Sequence, residues 1–222
     1  LVAWLRENNY RVDVEMEPLI DVYTVEGMLF LAMKLQPDQG VQDIQPISMT
    51  YNSTQPMIPI RLTAVAANPD MAIQTWIFAD HQMVPVNYAH PTIDMANMRV
   101  SWGSFDGTNY EFLLNTTIDL YQGRAFVTEY AQPTENLFSP IGSDDELLNM
   151  LAENYAYVTR LVGRMSPEDM TVDPIFTTND DLRPVSNLHD LSDIDPDIFW
   201  GCEDAPIQIN YDENVVPEGF ND

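Results

Sequence analysis

The chain has 222 residues and 25.3 kDa, with 45% apolar content, enough for one large domain or two small ones with a real core. Thirty-five Asp and Glu face nine Lys and Arg, and the net charge of −26 excludes binding to a nucleic-acid backbone or an anionic membrane, both of which need a basic face. The longest apolar run, Met28 to Met33, is too short to span a bilayer, so no membrane insertion is expected.

The acidic excess is uneven. Residues 177–222 carry 12 acids against the single base Arg183, while residues 1–176 carry 23 acids and 8 bases. Such a surface is a solvated, self-repelling coat, or one that relies on salt or divalent cations for screening. Cys202 is alone, so no disulfide forms within this stretch. Two sequons, at Asn52 and Asn115, mark candidate glycosylation sites and fit an exported chain. No signal-peptide pattern stands at Leu1, so the chain is expected to begin after processing or within a larger protein.

In chain order, Leu1 to Tyr10 predicts the end of a short amphipathic helix stopped at Asn8 and Asn9. A second helix is expected from Pro18 to Val25, with Gly27 as its stop. Met28 to Leu35 predicts a buried strand, and Ile44 to Tyr51 and Ile58 to Ala67 predict further strands. Met71 to Ala79 alternates, and with Met83 to Tyr88 it predicts a hairpin. Tyr110 to Tyr121 has helical spacing and ends at Gly123; Arg124 to Tyr130 predicts a strand. Ser143-Asp-Asp-Glu146 has the form of a capping box that starts a helix running to about Tyr155. Tyr157 to Met165 is expected as a strand, followed by a helical turn at Ser166 to Asp169. From Thr177 onward, Pro, Asp and Asn punctuation predicts an extended acidic tail anchored by aromatics such as Phe199 and Trp200. The sum is an α+β fold: a mainly antiparallel sheet with two to four short helices over residues 1–176, then the tail of 177–222.

Leu1-Val-Ala-Trp-Leu-Arg-Glu-Asn-Asn-Tyr10, Pro56-Met-Ile-Pro-Ile-Arg-Leu62, Asn87-Tyr88, Phe126-Val-Thr-Glu-Tyr-Ala131, Thr159-Arg-Leu161 and Pro167-Glu-Asp-Met170 occur in that order. This ordered set resembles the exported bacterial proteins grouped as domain of unknown function 2330. The likeness covers about residues 1–176 and corresponds to the C-terminal half of that family's domain. It implies an exported protein with a longer N-terminal region begun by a signal peptide, and it implies no activity. Family members often carry a cysteine pair soon after the stretch matching Phe126 to Ala131; here Gln132 to Leu137 stands there instead. The resemblance thus implies that Cys202 pairs, if at all, outside this chain.

Candidate chemistry is sparse. His81 and His90, with Asp80 and Asp94, lack the spacing that places two imidazoles on one side of a strand or helix. No Gly-x-Ser-x-Gly elbow and no glycine-rich phosphate loop occurs. Glu129 must pair if it points inward, with Arg61 or Arg124 as the expected partner in a structural ion pair. Asp193, Asp195 and Asp197 match the first liganding positions of a calcium loop, but Ile198 occupies the glycine place and Asp204 the bidentate Glu place. A looser Ca2+ site competes there with a plain acidic linker.

No catalytic constellation stands out. The expectation is an exported, non-enzymatic structural module, secreted or at the cell surface, which contacts copies of itself or other surface proteins, as a filament or surface-layer subunit would. The alternatives are a secreted metal-dependent enzyme or binding module completed by a missing N-terminal region, and a soluble ligand-binding domain.

Overall fold

A computed structural model describes residues 1–33, 47–137, 144–202 and 205–220. Its centre is a three-stranded antiparallel sheet in the order β1–β4–β3, formed by β1 (Met71–Ala79), β3 (Val127–Pro133) and β4 (Tyr157–Met165). β1 and β4 pair without a break from Met71–Met165 to Ala79–Tyr157. A second small sheet joins β2 (Met83–Pro85) to β5 (Phe176–Thr178).

Side chains alternate across a strand, so neighbouring residues of the central strand feed two cores. Leu161 packs with Ile60, Met83, Tyr88, Phe126 and Phe176 on one face. Val162 packs with Leu114, Ile118, Tyr121, Val127 and Phe220 on the other. Gly163 sits between them where space is scarce: a Cβ there would lie 3.1 Å from Phe126 Cε1 and 3.3 Å from the Ala125 carbonyl oxygen.

Six short helices surround the sheets among the described residues. In α1 (Val2–Glu7) the chain stops at Asn8, whose side-chain amide donates to the Trp4 carbonyl, and Asn9 takes a positive φ of 59°. α2 (Glu17–Val25) has Pro18 in its first turn, buries Ile20 and Tyr23 three residues apart, and ends before Gly27 at φ 78°. α4 (Tyr110–Asp119) buries Leu113, Leu114, Thr117 and Ile118. α5 (Glu146–Asn154) is capped by Asp145, which accepts from the backbone N–H groups of Leu147 and Leu148. The capping role thus falls to Asp145; Ser143 lies outside the described residues.

Three expected strands are not formed as read. Ile60–Thr63 is a helical turn, α3, because Pro59 blocks a ladder and the turn buries Ile60 while presenting Arg61. Residues 47–51 pair with no strand, and 44–46 lie outside the described residues. Met28 to Met33 is irregular and mostly exposed, with Leu29 at 96% and Leu31 at 59%; 34 and 35 lie outside the described residues. The expected hairpin is also replaced. Residues 83–85 pair with 176–178, and β1 turns instead to β4, so each strand finds a distant partner.

The acidic tail is laid over the body. Val185 and Ala131 exchange both backbone hydrogen bonds, at 2.7 and 2.9 Å. After α6 (Pro196–Phe199), Gln208 receives and gives hydrogen bonds at Asn97, and Phe220 buries itself in the second core.

Candidate functional site

Where the tail crosses the body it leaves a cleft of about 830 Å3. Its floor is α4 with the Tyr121 turn after it, β3 and the 90–95 segment; its sides are two passes of the tail, at 182–190 and 209–215. A volume of this size lies within the range of small-molecule sites.

The floor carries its only bulge at Glu129. Thr128 faces Leu161 and Tyr130 faces Arg160, leaving Glu129 as the extra residue between them. There its carboxylate accepts from Tyr110 Oη at 2.6 Å and lies 3.1 Å from Arg160 Nε, too far off the N–H direction for a hydrogen bond but close enough for Coulomb attraction. Burial, and then the bond to Glu129, push the Tyr110 phenol well above its ordinary value, so it stays a proton donor. His189 of the tail stacks on Tyr110, with ring centroids 5.2 Å apart. On the other side, His90 is fixed by its backbone N–H to the Val215 carbonyl, and burial lowers its pKa, so the imidazole is neutral at pH 7.

Glu129 therefore pairs with Arg160, not with Arg61 or Arg124 as expected. The bulge places it against the adjacent strand, where Arg160 also covers the Trp76 ring at 5.3 Å. Arg61 belongs to a separate buried knot. Asp173 accepts from Tyr23 Oη at 2.7 Å, from the Arg61 backbone N–H at 3.1 Å and from Arg61 Nε at 2.9 Å. The rest of the Arg61 guanidinium grips Glu26. This knot fastens α2 and α3 to the segment before β5. Arg124 donates to the Phe220 carbonyl at 2.9 Å and covers the Phe220 ring at 4.8 Å, so it clamps the end of the tail.

His81 and His90 do not meet. His81 lies 3.3 Å from Asp180 on the surface, whereas His90 lines the cleft. Among the described residues, no three His, Cys, Asp or Glu side chains group closely enough to hold a metal ion. Of Asp193, Asp195 and Asp197, Asp195 caps α6 by accepting from the Asp197 backbone N–H. Asn52 is exposed. Asn115 lies inside α4, its Oδ1 takes a hydrogen bond from Arg164, and Thr117 of the same sequon is buried. Cys202 is exposed and free.

Gln82, Tyr110, Arg160 and Asp173 carry no sequence signal of a site. The register of β3 on β4 brings Arg160 to Glu129, the return of the tail puts Gln82 and Tyr110 in one cleft wall, and Asp173 meets Arg61 and Tyr23 in the separate knot. No helix among the described residues is long and apolar enough to cross a membrane.

A family model described as an uncharacterized protein conserved in bacteria (DUF2330) matches residues 1–177. The chain belongs to this family. The match ends within β5, before the tail that walls the cleft. No curated protein and no solved structure is significantly similar to the chain.

Proposed function

We propose that this chain is an exported, non-enzymatic structural module, secreted or at the cell surface, that assembles with copies of itself as a filament or surface-layer subunit. The observation that carries this reading is the apolar ribbon Met28 to Met33, which pairs with no strand among the described residues and leaves Leu29, Leu31 and Met33 in solvent. Burying each leucine against a neighbour contributes about 1.5–3 kcal/mol.

The acceptor is β1. It pairs with β4 on one edge, and among the described residues no strand pairs with the other. A ribbon added beside β1 of the next copy is a β-augmentation. Donor and acceptor are different patches, so a one-way contact is head-to-tail, and it propagates as a filament where its rotation does not close a ring. The tail is a poorer donor, since Val185 and Phe220 commit it to its own body. At a net charge of −26, assembly depends on screening, which is the role left for calcium at the acidic tail around Asp193, Asp195 and Asp197. A glycan, where present, belongs on the exposed Asn52.

Sedimentation of the chain at rising concentration, with and without calcium, tests this. Mass should grow with concentration, and the double variant L29E/L31E should stay monomeric. A chain that remains monomeric at high concentration in both buffers contradicts the reading.

A second reading, a binding module, is favoured by one observation: a cleft of small-molecule size walled by His90, Tyr110, Glu129 and His189.

A further inference from the structure

We propose that Met33 is a modification site, and that oxidation of its thioether to the sulfoxide by a peroxide switches assembly off. This rests on the ribbon-to-edge reading above and adds its regulation.

The ribbon has two faces. Exposure alternates along it, high at Leu29 (96%), Leu31 (59%) and Met33 (55%), lower at Met28 (37%), Phe30 (38%) and Ala32. A period of two is that of an extended chain. The inner face is held by the body: the Phe30 ring meets Tyr23 edge-on at 6.4 Å, and Tyr10 Oη donates to the Ala32 carbonyl at 3.3 Å. The outer face is Leu29, Leu31 and Met33, so Met33 is one of the three side chains that a neighbouring copy buries.

Its thioether is the one group on that face that a peroxide changes. Elsewhere the same chemistry is blocked or harmless. Met83, Met98, Met165 and Met170 are buried, while Met49 and Met150 are exposed but lie outside both the ribbon and β1.

In the step itself, the sulfur lone pair attacks one oxygen of hydrogen peroxide. The O–O bond breaks, an S–O bond forms and water leaves; sulfur loses two electrons and the peroxide gains them. The product carries a hydrogen-bond acceptor in place of an apolar atom. In the free chain water serves that acceptor; packed against a neighbour it loses that water, and the contact weakens. Docking also shields the sulfur, so oxidation acts on the unassembled chain.

The test compares the full chain with Met33→Leu, both carrying Cys202→Ser because the exposed free thiol reacts with the same oxidant. Each is treated with hydrogen peroxide, sulfoxide at every methionine is measured by peptide mass spectrometry, and assembly is read by sedimentation. In the dilute chain Met33 should oxidise about as fast as Met49 and Met150, and well ahead of Met83 and Met165. At assembling concentration Met33, alone of those three exposed sites, should be protected. Full oxidation should raise the concentration needed for assembly about tenfold, which is about 1.4 kcal/mol per contact, and a methionine sulfoxide reductase should restore it. Met33→Leu should assemble as before and be indifferent to peroxide. Assembly unchanged by complete Met33 oxidation, or lost equally in Met33→Leu, overturns the switch and leaves the assembly reading standing. A chain that is monomeric before any peroxide is added overturns both.

Discussion

Asp173 is the side chain on which the N-terminal helices depend most. It is 6% exposed and accepts on both oxygens: Oδ1 from Tyr23 Oη and the Arg61 N–H, Oδ2 from Arg61 Nε. In Asp173→Asn, one oxygen becomes an NH2 group. Whichever way the amide turns, a donor meets a donor, either Tyr23 and the Arg61 backbone or the guanidinium. The Arg61 charge also loses its buried partner, although Glu26 still holds its outer face. Removing one member of a buried pair costs about 3–5 kcal/mol, and the retained Glu26 contact reduces that to about 2–3 kcal/mol. For a chain of this size each kcal/mol moves Tm by about 2–4 °C, so a fall of roughly 5–10 °C is expected. Tyr23→Phe removes only one donor to Asp173 and should cost about 1 kcal/mol. Differential scanning calorimetry of the three proteins at pH 7 reads both shifts. A Tm for Asp173→Asn within about 1 °C of the parent would refute the knot as a fastening.

Gly163→Ala should destabilise by about 1–3 kcal/mol in urea unfolding, because the new methyl meets Phe126 and the Ala125 carbonyl inside a filled core. Phe220→Ala should release the end of the tail: limited proteolysis within residues 205–220 should accelerate, while global stability falls by less than the about 3–5 kcal/mol of an internal Phe→Ala. His90 gives a pH signature. Burial depresses its folded pKa below the usual 6.5, so between the two values the unfolded chain binds more protons than the folded one. Its contribution is complete above 6.5 and fades as pH falls through the window below it. The stability lost between pH 7.5 and 5.5 should therefore be smaller in His90→Gln than in the parent, and an equal loss would contradict a buried neutral imidazole.

Much of the scaffold is legible in the residues. The alternation of Met71 to Ala79, the apolar stretch of Tyr157 to Met165 and the helical spacing after Tyr110 mark β1, β4 and α4: β1 and α4 bury one face, and β4, the central strand, feeds a core on each of its two faces. The stop residues Asn9, Gly27 and Gly123 are legible too, since all three take positive φ. Partner choice is not. Met83 to Pro85 could close a hairpin on β1 as well as join β5, and only the packed core decides for β5. A short apolar run such as Ile58 to Leu62 fits a buried strand or a buried turn equally, and the docking of Arg61 on Asp173 selects the turn. The cleft lay further out of reach. Its centre is a bulge that breaks the alternation at Glu129, and its walls come from residues a hundred positions apart. The ribbon Met28 to Met33 is illegible for a related reason: it has the composition of a buried strand but no strand partner among the described residues.

The decisive measurement is a photo-cross-linking residue placed at Leu31 in the full chain, irradiated at assembling concentration and mapped by mass spectrometry. Propagating ribbon-to-edge contacts predict cross-links between that position and residues 71–79 of a different copy, identified by mixing isotopically light and heavy chains. Cross-links confined to single chains, or none to 71–79, would contradict assembly through this edge.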